Sequence, residues 1–112
     1  MAGITAFGAY IPYYRLARAE VARAWRSAGA AGDKAVAGYD EDSLTLAVGA
    51  ALDCTAGGAA PDALYFASTP SPYREKQAAA IASAALDLPT GALTMDFAGS
   101  QRCATSALRA AL

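Results

Sequence analysis

Apolar residues along this chain fall into short blocks separated by glycine, proline and charged clusters, and the blocks follow two different rhythms. Residues 3–12 ("GITAFGAYIP") are apolar and end at a proline, which predicts a buried strand. Residues 62–68 ("DALYFAS") predict a second strand, a short run too apolar to be half exposed, and residues 91–99 ("GALTMDFAG") a third. Between them the spacing changes to the helical one. Residues 18–28 combine good helix formers with Val21 and Trp25 on one face, and residues 29–39 read as a loop through their glycines.

The clearest helix spans 40–54. Asp42 is placed to accept hydrogen bonds from free first-turn amides, and carboxylates suit the positive end of the helix dipole. Leu44, Ala47, Val48, Ala51 and Leu52 form its core-facing stripe, and "TAGGAAP" at 55–61 breaks it. A helix is predicted over 71–86, with Ser71 as N-cap, Pro72 at the first helical position and a stripe of Ala78, Ile81, Ala82 and Ala85. A last helix starts at Cys103 and runs to 112. The order β-α-α-β-α-β-α predicts an α/β fold, a mainly parallel sheet with helices packed on it, formed as one partial domain over 1–112.

Composition narrows the chemistry. The chain has 112 residues, 55% hydrophobic and 17% charged, with a net charge of −1. It should fold, and much of its apolar content is alanine, which packs closely but buries little area. No basic run points to nucleic acid, no apolar stretch is long enough to cross a membrane, and no secretory signal is expected at the start. Cys54 and Cys103 lie far apart, without metal-ligand spacing, so reduced thiols in a cytoplasm are expected and no metal. The chain contains no histidine. Cys-His and Ser-His pairs cannot form within it, and most zinc sites are excluded.

In this order of elements, four stretches carry a resemblance: "GITAFGAYIPYYRL", "KAVAGYDEDSLTLAV", "YFASTPSPYREKQAAAI" and "DFAGSQRCATSAL". Together they resemble the N-terminal portion of prokaryotic 3-hydroxy-3-methylglutaryl-CoA synthases, in the thiolase-like condensing-enzyme superfamily. The Tyr39–Ser43 stretch is the most specific part. The resemblance implies a thiolase-like fold of two similar halves in a five-layered sandwich, of which this chain matches most of the first. It implies acyltransferase chemistry on acyl-CoA or acyl-carrier thioesters, C–C condensation through an acyl-enzyme, and no cofactor besides the substrate. The family histidine lies downstream of the matched portion.

Family members place a nucleophilic cysteine at the turn from strand to helix, where the helix N-terminus favours a thiolate. Aligned through Ala107-Leu108, that position falls on Gln101. Cys103 comes two residues later, about 200° around a helix. The loop "STPSPYREK" puts Thr69 where the synthases carry a glutamate acid/base. Gln101, Cys103 and Thr69 are therefore the candidate catalytic positions. Cys103 is either a reactive thiol or a packing residue. Gln101 is either a vacated position or an amide that holds a thioester carbonyl or enolate, as in relatives that only decarboxylate malonyl thioesters. Ser100 has no base beside it. Tyr73, Arg74 and Lys76 are either a surface helix start or a contact for a CoA or carrier arm. Asp40, Glu41 and Asp42 read as helix capping rather than a metal cluster, and Cys54 as structural.

Three functional readings follow: a segment of a condensing acyltransferase, a non-catalytic half-subunit that pairs with an active enzyme, or a truncated fragment. The first two need a C-terminal thiolase-like half or a partner chain. A first-half sheet without its second half exposes an apolar face, so the isolated chain is expected to be oligomeric, as a homo- or hetero-oligomer, or aggregated or poorly folded.

Overall fold

The structure, a computed structural model, describes residues 3–58 and 60–112. Of the predicted helix break at 55–61, residue 59 lies outside the described residues. The chain divides into two compact units, one comprising residues up to Tyr10 together with Asp42–Leu112, the other Ile11–Glu41.

The smaller unit holds β1 (Tyr14–Ala17), α1 (Arg18–Trp25) and β2 (Asp33–Val36). The two strands pair antiparallel, Tyr14 opposite Val36 and Ala17 opposite Asp33. Helix α1 ends at Trp25 and not at 28, because Arg26 turns into the left-handed region at φ 50° and its N–H caps the carbonyls of Ala22 and Arg23. Strand β2 lies inside the predicted loop 29–39, and β1 was not expected. Both strands are four residues long and every residue of β1 is exposed, so neither carries the apolar run that marks a strand from sequence.

The larger unit holds α2 (Ser43–Thr55), β3 (Ala63–Ala67), α3 (Ala78–Ala85), β4 (Leu93–Phe97) and α4 (Cys103–Ala111). Strands β3 and β4 are parallel and in register from Ala63–Leu93 to Ala67–Phe97. The α/β architecture holds, but among the described residues only this pair is parallel, and the element order is β-α-β-α-β-α-β-α.

Helix α2 starts where the sequence places its cap. Asp42 Oδ1 accepts the amides of Leu44 and Thr45 at 2.9 Å each, and Thr45 Oγ1 accepts the Asp42 amide at 2.8 Å. This reciprocal box satisfies amides that no helical carbonyl can reach. Leu44 is buried with Phe66, Ala78, Ala79 and Ala82, and Ala47, Val48 and Leu64 pack around them. Leu52 leaves the predicted stripe and is 55% exposed. The reason is a second contact face on α2. A Cβ on Gly8 would fall 2.8 Å from the Cα of Cys54, and one on Gly49 would meet the Tyr10 ring at 2.9 Å. The Ala9 N–H donates to Asp53 at 3.0 Å.

Residues 8–10 of the segment predicted as strand 3–12 therefore pack along α2, and the segment forms no strand ladder among the described residues. An apolar run becomes a strand only with a partner for its backbone groups. Helix α3 starts at Ala78, six residues later than the predicted first helical position, Pro72. Its buried face is Ala78, Ala79, Ala82 and Ser83, and Ile81 is exposed. Ser71 and Pro72 lie in the loop before it. The deciding group is Asp96 of β4, whose two carboxylate oxygens accept the Ala78 and Ala79 amides at 2.7 Å each.

Candidate functional site

Because β3 and β4 are parallel, the loops that follow them leave from the same edge of the sheet. That edge carries all three candidate positions. Thr69 is two residues past the end of β3, and the turn 98–102 links β4 to α4. Carboxyl ends of parallel strands are where α/β folds gather ligand-binding loops.

The loop after β3 is held at both sides of Thr69. The Ser68 amide donates to the Phe97 carbonyl at 3.1 Å, continuing the ladder. The Pro70 carbonyl accepts two hydroxyls, Ser43 Oγ at 3.0 Å and Ser68 Oγ at 3.2 Å. Thr69 itself is exposed. Further along, Lys76 Nζ stands 5.3 Å from the Tyr73 ring centre, a cation–π distance. Tyr73, Arg74, Lys76, Gln77 and Asp96 border an open depression of about 430 Å³.

The turn after β4 depends on Gly99, whose φ of +81° lies in the left-handed region that glycine adopts without a Cβ clash. The Arg102 amide donates to Ser100 Oγ at 3.2 Å and the Cys103 amide to the Ser100 carbonyl at 3.1 Å. Ser100 thus shapes the turn. Gln101 is exposed on it, whereas Cys103, the first residue of α4, is buried at 7% exposure together with Ala107 one turn later. Helix α4 has no side-chain cap and no acidic residue in its first turn. At the start of α4, Ser100 holds the Arg102 and Cys103 amides, Gln101 faces solvent and Cys103 is packed inward.

The structure therefore brings Thr69 and the Gln101 turn to one edge, and separates Gln101 from Cys103 by burial. Asp42 is committed to its cap, Glu41 Oε2 accepts the Gly38 amide at 2.7 Å, and no group of three or more metal-ligating side chains occurs among the described residues. Cys54 is half-buried on α2. Sequence reasoning missed the clamp between β4 and the loop before α3: Asp96 on the α3 amides, Gln77 Nε2 donating to the Thr94 carbonyl at 2.8 Å, and Thr94 Oγ1 donating to Gln77 Oε1 at 3.0 Å. A signal was present. Thr94 and Asp96 alternate within the apolar strand "LTMDF", and a carboxylate there needs partners.

A parallel β-α-β unit whose second strand turns directly into a helix gives the chain the fold of solved acyl-carrier-protein synthases. The chain superposes on β-ketoacyl-[acyl carrier protein] synthase III from Thermus thermophilus with a TM-score of 0.82 at 22% identity, covering 97% of this chain and 37% of that one. On 3-oxoacyl-(acyl-carrier protein) synthase from Burkholderia xenovorans LB400 the TM-score is 0.67 at 19% identity, covering 82% and 31%.

In sequence, the chain is similar to hydroxymethylglutaryl-CoA synthases. It is 35% identical over 120 residues to hydroxymethylglutaryl-CoA synthase of Methanocella arvoryzae, covering 98% of this chain and 35% of that protein. It is 36% identical over 121 residues to the synthase of Aeropyrum pernix, covering 99% and 34%. The chain spans about a third of the length of these curated relatives. No family model matches it.

Proposed function

We propose that the chain is the thioester-handling segment of a hydroxymethylglutaryl-CoA synthase-like acyltransferase, acting on acyl-CoA or acyl-carrier thioesters and completed by a second thiolase-like half. The observation that carries this reading is the match to the synthases over 98% of the chain at 35% identity, on a fold that brings the Thr69 loop and the Gln101 turn to one sheet edge. The chain is one partial domain of that larger fold. It supplies the strand-turn-helix, and the second half supplies the histidine that this chain lacks.

In the acyl-enzyme version, a thiolate attacks the thioester carbonyl, a new carbon–sulfur bond forms, the bond to the CoA sulfur breaks, and CoA leaves as its thiolate, which takes a proton from solvent. Cys103 is the thiol nearest in sequence to the family position, and its burial opposes that role. The same burial, with Gln101 exposed on the turn, favours a second reading: the Gln101 amide donates to a thioester carbonyl and stabilises the enolate left when a malonyl thioester loses carbon dioxide.

Labelled acetyl-CoA and malonyl-CoA, offered to the chain with a complementary half, separate the two readings. An acetyl adduct mapped to Cys103 by mass spectrometry supports the acyl-enzyme. Release of carbon dioxide that is lost in Gln101→Ala, with no adduct, supports the glutamine reading. Neither product from a complex that has formed leaves a non-catalytic half-subunit and sinks the catalytic proposal.

A further inference from the structure

The depression of about 430 Å³ at the carboxyl edge of β3 and β4 has fixed walls and an uncommitted rim. Gln77 Nε2 donates to the Thr94 carbonyl, Thr94 Oγ1 donates back to Gln77 Oε1, and both Asp96 oxygens accept α3 amides. Ser71 Oγ donates to the Tyr73 carbonyl at 3.1 Å. These polar groups are engaged within the fold, and the Asp96 charge is met by the positive end of α3. Arg74, Glu75 and Lys76 remain, all three exposed on the rim. Neither Arg74 nor Lys76 forms an ion pair among the described residues, and Lys76 stands over the Tyr73 ring. The rim thus sets two cations against one uncommitted carboxylate, on a chain whose net charge is −1.

The place of this rim says which end of a thioester it meets. The depression is also bordered by Ala98, the first residue of the turn 98–102. In both readings proposed above the thioester carbonyl sits at that turn or at the first residue after it. A pantetheine arm carries its phosphate at the far end, the whole length of the arm away from the carbonyl. Cations beside the turn itself meet a charge only a few bonds from the carbonyl, and such a charge belongs to the acyl chain. The anion an acyl chain carries is a carboxylate. An arginine fork binds it through two parallel N–H···O bonds, and an ammonium adds a further donor.

We infer that the depression is an acyl-chain subsite, and that Arg74 and Lys76 make it selective for thioesters whose acyl chain ends in a carboxylate. The inference rests on the thioester reading above and adds to it the class of acyl group. The depression has the volume of a small-ligand cleft, and the bonds of Gln77, Asp96 and Ser71 hold its walls before a ligand arrives. Tyr73 contributes an aromatic face to the same rim.

Every residue that borders the depression lies in the larger compact unit, so the full 112-residue chain is the sample. The probes are the N-acetylcysteamine thioesters of succinate, of its methyl ester and of acetate, which carry no phosphate. A succinyl chain has its carboxylate too far from the carbonyl to be lost as carbon dioxide, so binding is read without turnover. Titration followed by amide shifts is expected to show the succinyl thioester binding about tenfold tighter than the methyl ester or the acetyl thioester, with the largest shifts at Gln77 and Ala98. Arg74→Gln combined with Lys76→Gln should remove that preference, and Arg74→Lys combined with Lys76→Arg should keep most of it, with circular dichroism unchanged in both. Equal binding of the charged and neutral probes overturns the carboxylate assignment and keeps the thioester reading. A preference that survives Arg74→Gln with Lys76→Gln overturns the site. Displacement of the succinyl probe by adenosine 3′,5′-bisphosphate assigns the cations to phosphate and overturns the inference as well. Binding of none of the thioesters overturns both the subsite and the thioester reading beneath it.

Discussion

Asp96 is the residue on which the larger unit turns. Its two oxygens take the amides of Ala78 and Ala79, so one side chain on β4 starts α3 and ties the loop before it to the sheet. Charge-assisted hydrogen bonds of this kind contribute about 1.5–3 kcal/mol. Asp96→Ala should lower the unfolding free energy by about 2 kcal/mol, and Asp96→Asn, which keeps one acceptor oxygen, by roughly half of that. Urea unfolding followed by circular dichroism measures both, and an unchanged midpoint in Asp96→Ala would remove the clamp from the account. Cys103 gives a second residue-scale test. It is buried and Cys54 is half-buried, so a maleimide should label Cys54 first and reach Cys103 only as the chain opens. Rapid labelling of Cys103 in the folded chain would contradict its place under α4. Neither property is legible from "SQRCATSAL", because helical spacing shows that Cys103 and Ala107 share a face but not that this face is the buried one.

Elements with local signals were readable, and those without them were not. Helix α2 has Asp42 and Thr45 three residues apart, and its start needs nothing from elsewhere. Asp42→Ala should cost about 1 kcal/mol, read as the same shift in urea unfolding. Strands β3 and β4 and helix α4 also fall within two residues of their predicted limits, since each is a short apolar or helical run bounded by glycine or proline. Helix α3 misled because Ser71 and Pro72 are a good local start, yet Asp96 offers two hydrogen bonds to the amides at 78 and 79. The 3–12 run misled because period and composition cannot supply a neighbouring strand. Its glycine contact does make a prediction. Gly8→Ala places a methyl against the backbone of Ala50 and Cys54 and should destabilise the packing of this segment on α2 by about 1–3 kcal/mol. Faster exchange of the Ala9 amide in that variant is the accompanying readout, because its bond to Asp53 would open.

For the whole molecule, the apolar surface left in solvent is the main physical fact. Phe7 is 89% exposed and Trp25 79%, and α1 contains no buried residue. A unit of the size of Ile11–Glu41 is below the length at which a hydrophobic core alone usually holds a fold. The isolated chain should therefore self-associate, with an apparent mass in size-exclusion chromatography above that of a monomer and rising with concentration. A compact monomer at every concentration would argue against the need for a complementary half. No helix of the described residues is long and apolar enough to cross a membrane.

The sequence by itself determined the features that depend on neighbours within a few positions: the capped start of α2, the two parallel strands, the glycine turn after β4 and the helix that follows it. It also carried the resemblance to hydroxymethylglutaryl-CoA synthases, which extends over nearly the whole chain. Tertiary structure alone decided where α3 begins, that residues 8–10 lie along α2 without a ladder, that β1 pairs with β2, and that Cys103 points inward while Gln101 faces solvent. The physical reason is common to all four. A backbone amide or a buried side chain takes the best partner within reach in space, and the residue that offers it, as Asp96 does, is distant along the chain.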